Sequence, residues 1–173
     1  MGGRGQKGFT LIELLIVIVI VMLLAALLLP ALIKALCNGR AATAQHLVSQ
    51  LELGADQYEK AYGIYPPGKG DGSKELAYYL QKKGARNQQF FEFQPDQLTS
   101  GNIVNPVHGS EADAPPNIIY YRNNIVIGGG APPAPAAGQP PIRNKSRFDL
   151  WAAGCTYTSS VPATAWGVNN WGE

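Results

Sequence analysis

At 173 residues, 46% of them hydrophobic, the chain can bury one small globular core and is too short for a second independent domain. A formal charge of +2 argues against the strongly basic surface of a nucleic-acid-binding domain, and two cysteines, Cys37 and Cys155, rule out a disulfide framework. Of the fourteen basic residues, Arg4 and Lys7 fall in the first eight positions, so the rest of the chain balances twelve basic against twelve acidic side chains. Such a neutral body lets copies of itself approach without long-range repulsion.

From Leu14 to Ile33 the chain runs twenty residues without a charge, long enough to cross a bilayer as a helix. Arg4 and Lys7 precede the run, so the positive-inside rule keeps the first residues cytoplasmic and sends the rest of the chain out. A cleaved secretory signal fits poorly, because the run exceeds a usual h-region and its best cleavage site, Ala35-Leu36-Cys37, is a weak one. A lipoprotein signal meets the bulky Leu36 before Cys37. A plain signal anchor fits the length but not Glu13, whose charge at the edge of an apolar span costs a few kcal/mol, on the order of the insertion scales, unless it is paired. Lys7 is six residues away and falls on another helix face. Cleavage after Gly8 would create an amino group at Phe9, and a neighbouring subunit could present that cation to Glu13.

The segment Lys7-Gly8-Phe9-Thr10-Leu11-Ile12-Glu13-Leu14-Leu15, followed by its apolar run, resembles the class III signal of type IV prepilins and pseudopilins. The resemblance implies cleavage by a membrane peptidase after Gly8, methylation of the new N-terminal Phe9, and a contact of Glu13 with the N-terminus of an adjacent subunit during assembly. Pro30 fits the same resemblance; it removes a backbone donor and is expected to kink or loosen the helix, or to mark the membrane boundary.

Beyond Pro30, Ala44, Leu47, Val48, Leu51, Ala55, Tyr58 and Tyr62 recur at helical spacing, with Gln45, Gln50, Glu52, Asp56, Glu59 and Lys60 mostly on the other side. This predicts an amphipathic helix ending where Gly63, Pro66 and Pro67 stop it; if continuous from Phe9 it is roughly 80 Å long. Gly39 and Gly54 weaken it locally. Gly68-Lys69-Gly70-Asp71-Gly72 reads as a flexible loop without the Walker spacing, and Ser73 as the N-cap of a short helix from Lys74 to Lys83, closed by Gly84. Strands are predicted at Gln89–Phe93, Ile118–Tyr121 and Phe148–Ala152, with a further one at Ile125–Ile127, forming a small antiparallel sheet over the amphipathic helix. The Gly/Pro/Ala-rich run 128–141 reads as an exposed loop. The fold class is therefore α+β and pilin-like, with a leader at 1–8, a transmembrane half-helix at 9–33, an amphipathic half-helix at 34–62 and a globular domain at 63–173.

Tyr58 to Pro67 with its Tyr-Pro dipeptide, Phe148 to Gly154, and the closing Asn170-Trp171 are similar to the major pseudopilin of type II secretion systems. That resemblance implies a homo-oligomeric helical filament grown from the inner membrane into the periplasm. Its partners would be a prepilin peptidase, minor pseudopilins, and a secretion assembly platform with its ATPase. The family's calcium loop supplies acids, the ligands this cation requires. Here Cys155 to Val168 contains none, so no cofactor and no calcium is expected. The alternative is a type IV pilin subunit for adhesion, motility or DNA uptake, which the N-terminus alone does not separate; such pilins commonly carry a C-terminal disulfide loop with both cysteines in the globular part, whereas only Cys155 lies there. Cys37 and Cys155 could form one disulfide outside the cytoplasm, but two separate buried thiols are the favoured reading, because free Cys is a common core residue and a bridge needs a fold-back that the sequence does not show.

An anchored periplasmic enzyme is the reading from another class. Neither His46 nor His108 has a partner at metal-ligand spacing, and Asp96, Glu111 and Asp113 sit in polar, loop-like stretches, so no catalytic or metal residue is expected. Arg143, Lys145 and Arg147 beside Phe148 and Trp151 match a single-stranded nucleic-acid surface weakly and a solvated strand edge better.

Overall fold

The computed structural model describes residues 9–82, 88–107, 117–125, 134–135, 139–154 and 167–171. The chain divides into two compact units, Met1–Cys37 and Asn38–Glu173, and helix α1, Leu11–Tyr62, contributes to both. The expected long helix is present, and the small antiparallel sheets that follow it make the fold α+β and consistent with a pilin-like one.

In the first unit α1 is apolar and exposed on every side from Leu11 to Leu36. The helix is continuous through Pro30, where the ring leaves the Ala26 carbonyl without its amide donor. Cys37 is disulfide-bonded, which corrects the expectation of two separate thiols; Cys155 lies outside the described residues.

In the second unit the hydrophobic stripe of α1 is buried at Ala44, Leu47, Val48, Leu51, Gly54, Ala55 and Tyr58. Each large apolar side chain placed there is worth about 1.5–3 kcal/mol. Gly54 lies on this face against Leu80 and the Phe90 carbonyl, where a Cβ would make only ordinary contacts, 3.4 Å from Leu80 Cδ1 and 3.6 Å from the carbonyl oxygen. Helix α2, Lys74–Gln81, buries Leu76, Ala77 and Leu80.

The sheet pairs β3 (Ile119–Asn123), β4 (Phe148–Ala152) and β5 (Val168–Asn169) in the antiparallel order β3-β4-β5. A hairpin of β1 (Leu98–Thr99) and β2 (Asn102–Ile103) turns on Ser100 and Gly101, both left-handed at φ 48° and 87°, as a two-residue turn between twisted strands requires. It joins β3 through the Val104–Ile118 bridge. Two strands thus lie where the sequence predicted them. Ile125 is irregular, and Val126 and Ile127 lie outside the described residues.

Four local expectations are corrected. Residues 89–93 form no strand; the Phe90 and Phe91 amides both donate to the Leu80 carbonyl (3.0 and 3.1 Å), and Phe90 packs on Tyr58 and Tyr62, so these rings cover helix ends instead of pairing. Helix α2 ends at Gln81, with Lys82 already extended. Ser73 is no side-chain cap: its hydroxyl accepts from the Ile103 amide (2.8 Å) and its own amide donates to Asn102 Oδ1 (2.8 Å), tying α2 to β2. The glycine-rich stretch is pinned, because the Gly70 amide donates to the Tyr121 carbonyl, and the Gly68 and Gly72 carbonyls accept from Asn123 and Tyr121. A Cβ at Gly68 would lie 2.3 Å from the Tyr121 ring, so the chain needs glycine there to lie against β3.

The far end of run 128–141 is also anchored. Gln139 Nε2 donates to the Gly70 carbonyl (2.7 Å), and the buried Pro140 accepts from Arg122 Nη1 (3.1 Å). Only Ala134, Pro135 and Pro141 are exposed in its described part.

Candidate assembly site

Helix α1 begins at Leu11, which leaves Phe9 and Thr10 outside it. Thr10 is its N-cap in function: its hydroxyl accepts from the Glu13 amide (3.3 Å) and donates to Glu13 Oε2 (2.7 Å), while the Thr10 amide donates to the same oxygen (2.9 Å). This is a capping box, with the carboxylate at the third helical position satisfying donors that a helix start leaves unpaired, and its negative charge lies at the positive end of the helix dipole. Both bonds converge on Oε2, so among the described residues Oε1 has no partner. The sequence reading found Glu13 but missed its local partner; Thr-x-x-Glu before an apolar run is the signal that would have shown it.

Around this end every large side chain is bare: Phe9 is 85% exposed and Leu11 84%, and the most apolar stretch of α1 has none of its residues buried. So much apolar surface has to be covered by lipid or by other chains. Gly8 lies outside the described residues. Pro30 stands in the same bare segment.

Two ionic clusters fix the globular unit. Arg147 Nη2 meets Asp56 Oδ2 at 2.6 Å and its Nη1 meets Glu52 Oε1 at 3.0 Å; Asp56 first, then Tyr65, hold its guanidinium above the ordinary arginine range. Two acids read as solvent-facing therefore clamp α1 to the entry of β4. Buried Arg122 pairs with buried Asp149 at 2.6 Å, stacks over Trp151 and donates to Asn124, while Asp149 also accepts from the Arg143 and Asn144 amides. Spacing alone could not show this pair, whose members are adjacent only through the β3–β4 register.

Residues weighed for other chemistry do not converge. His46 and Asp96 are exposed and share the wall of a shallow pocket of about 290 Å³, and the described residues contain no group of three His, Cys, Asp or Glu able to hold a metal. His108, Glu111 and Asp113 lie outside the described residues. Phe148 and Trp151 are fully buried, so their faces are closed to a stacking base.

Residues 3–29 match the family model of the prokaryotic N-terminal methylation motif. That motif marks a type IV pilin-like prepilin. It implies processing by a prepilin peptidase and assembly into a filament, the work of a structural subunit and not of an enzyme, and the long apolar helix is consistent with anchoring in the inner membrane. The match ends at Leu29, so it speaks for the prepilin's anchor and not for the kind of filament. No curated protein and no solved structure matches the chain.

Proposed function

We propose that this prepilin is the structural subunit of a type II secretion pseudopilus. It is cut between Gly8 and Phe9, methylated at Phe9, held N-in and C-out in the inner membrane, and polymerised into a periplasmic filament that helps export folded proteins. The observation that carries the filament is the bare apolar helix whose one acid, Glu13, is capped through a single oxygen. The second oxygen is left to take the ammonium group of a neighbour's Phe9, so one carboxylate serves its own helix end and the intersubunit contact together. The disulfide at Cys37 supports an oxidising compartment just beyond the span.

Secretion is favoured over a surface pilus by the resemblance at the C-terminus. Asn170 accepts from the Leu150 amide (2.9 Å) and donates to the Phe148 carbonyl (3.3 Å), and Trp171 packs on Ile118, Tyr120 and Trp151, so the closing Asn-Trp, just past β5, is bonded and packed against the sheet. The filament needs no calcium at Cys155 to Val168, and its energy comes from a partner ATPase. Mass spectrometry of the mature chain is expected to find N-methylated Phe9 first; a chain starting at Met1 or Asn38 overturns the prepilin mechanism. Deletion of the gene is expected to retain exported proteins in the periplasm and leave surface fibres intact, and the opposite pair of phenotypes assigns a pilus.

A further inference from the structure

From Leu14 to Leu51 the sequence has no Asp or Glu and two basic residues, Lys34 and Arg40. Lys34 follows directly on the apolar span, and Arg40 comes less than two turns later on α1. Both are exposed, and among the described residues neither has an ion pair or a side-chain hydrogen bond. No acid stands three or four residues to either side of them, so their own helix offers no partner. Arg122 and Arg147 of the globular unit, in contrast, both hold carboxylates.

The place of the two cations decides which anions they meet. With Leu14 to Ile33 across the hydrocarbon, Lys34 stands at its outer edge, where the phosphate layer begins. Ile33 and Leu36 beside it are 61% and 58% exposed, which leaves apolar surface for its aliphatic stem while the ammonium reaches the phosphates. Helical side chains lean toward the helix N-terminus, here the membrane end, so Arg40 leans back toward the same layer. A phosphodiester takes an ammonium as a point charge and a guanidinium through two N–H groups. On the other side of the span stand Arg4 and Lys7, and the proposed cut after Gly8 removes both, so every lysine and arginine of the mature chain follows the span.

We propose that Lys34 and Arg40 each take the phosphate of an anionic phospholipid in the leaflet facing the globular unit, so that cleavage shifts the electrostatic hold on the subunit from both leaflets to that one. This rests on the membrane anchor of the proposed function and adds a lipid preference that the anchor does not contain. The test places the mature chain in vesicles whose outer leaflet alone contains phosphatidylglycerol in phosphatidylcholine, with the globular unit outside. Spin-labelled lipids in that leaflet report, by their immobilised fraction, how often each headgroup sits beside the helix. Phosphatidylglycerol is expected to be retained about fivefold over phosphatidylcholine. The preference should vanish in the double variant Lys34→Gln and Arg40→Gln and persist in Lys145→Gln, which removes an exposed cation of the globular unit. Equal retention of the two lipids by the unsubstituted chain, an undiminished preference in the double variant, or its loss in Lys145→Gln overturns the proposal while the anchor stands. Flotation reads the anchor separately: a chain that does not rise with the vesicles removes both readings.

Discussion

At Glu13 a helix cap and a proposed intersubunit contact draw on one carboxylate, and substitutions can separate them. Thr10→Val removes the hydroxyl and should weaken the helix start by about 1 kcal/mol, read as faster amide exchange at Glu13. Glu13→Gln can still accept from Thr10 but carries no charge, so filament yield should fall while the helix start persists; equal loss in both variants would mean that only the cap matters. Glycines separate in the same way. Gly68→Ala drives a methyl into the Tyr121 ring and should destabilise the domain by roughly 1–3 kcal/mol, whereas Gly39→Ala meets nothing within 4 Å and should stabilise α1 by about 1 kcal/mol, both read from thermal unfolding in detergent. The Tyr121 hydroxyl donates to the Pro66 carbonyl at 2.7 Å, and burial first, then Tyr65 and Tyr58, hold its pKa above the ordinary 10.0. The folded chain thus keeps a proton that the unfolded chain gives up near 10. This stabilisation is complete below that value and is lost as pH rises beyond it toward the folded value. The unfolding midpoint should drop above pH ~10, and Tyr121→Phe should flatten that drop.

Among the elements, the β3–β4 pair depends most on one contact. Asp149→Ala leaves the Arg122 guanidinium buried without its carboxylate and should cost about 3–5 kcal/mol in denaturant unfolding, while Lys145→Ala, at an exposed position, should change little. That pair also shows where sequence reading stopped. Helix α1 was legible because twenty uncharged residues and then a period-3.6 stripe leave few alternatives, and β3 and β4 because β-branched and aromatic residues cluster between turn formers. Strands β1, β2 and β5 are two residues long, too short to show alternation, and only Ser100-Gly101 hints at the hairpin. Gln89–Phe93 misled because aromatic residues that cap helix ends have the same composition as a strand. At the candidate site the place of Glu13 in an apolar span singled it out, whereas its hydrogen bonds to Thr10 were not read from the sequence, because a Thr-x-x-Glu cap is local and the cost of the charge pointed to a partner outside the chain.

For the molecule as a whole, one chain meets two solvents. The apolar part of α1 is unburied by its own chain, so Leu24→Lys should cost about 3 kcal/mol of membrane insertion, seen as loss from the membrane fraction, without changing the unfolding of the globular unit; a coupled loss would mean that this stretch is a core helix. The sheet, in contrast, is closed at its margins. Gln45 donates to the Asn169 carbonyl (2.8 Å) and accepts from its amide (3.3 Å), occupying β5 as a strand would. Asn170 and Asn144 cover Phe148 and Leu150 on β4, and residues 68–72 lie along β3. A subunit held in a membrane for the proposed assembly would be exposed to amyloid-like stacking through any free strand edge. By occupying those edges with side chains and a glycine-rich strap, the described residues leave little of this sheet open to such stacking, so the proposed assembly is left to other surfaces.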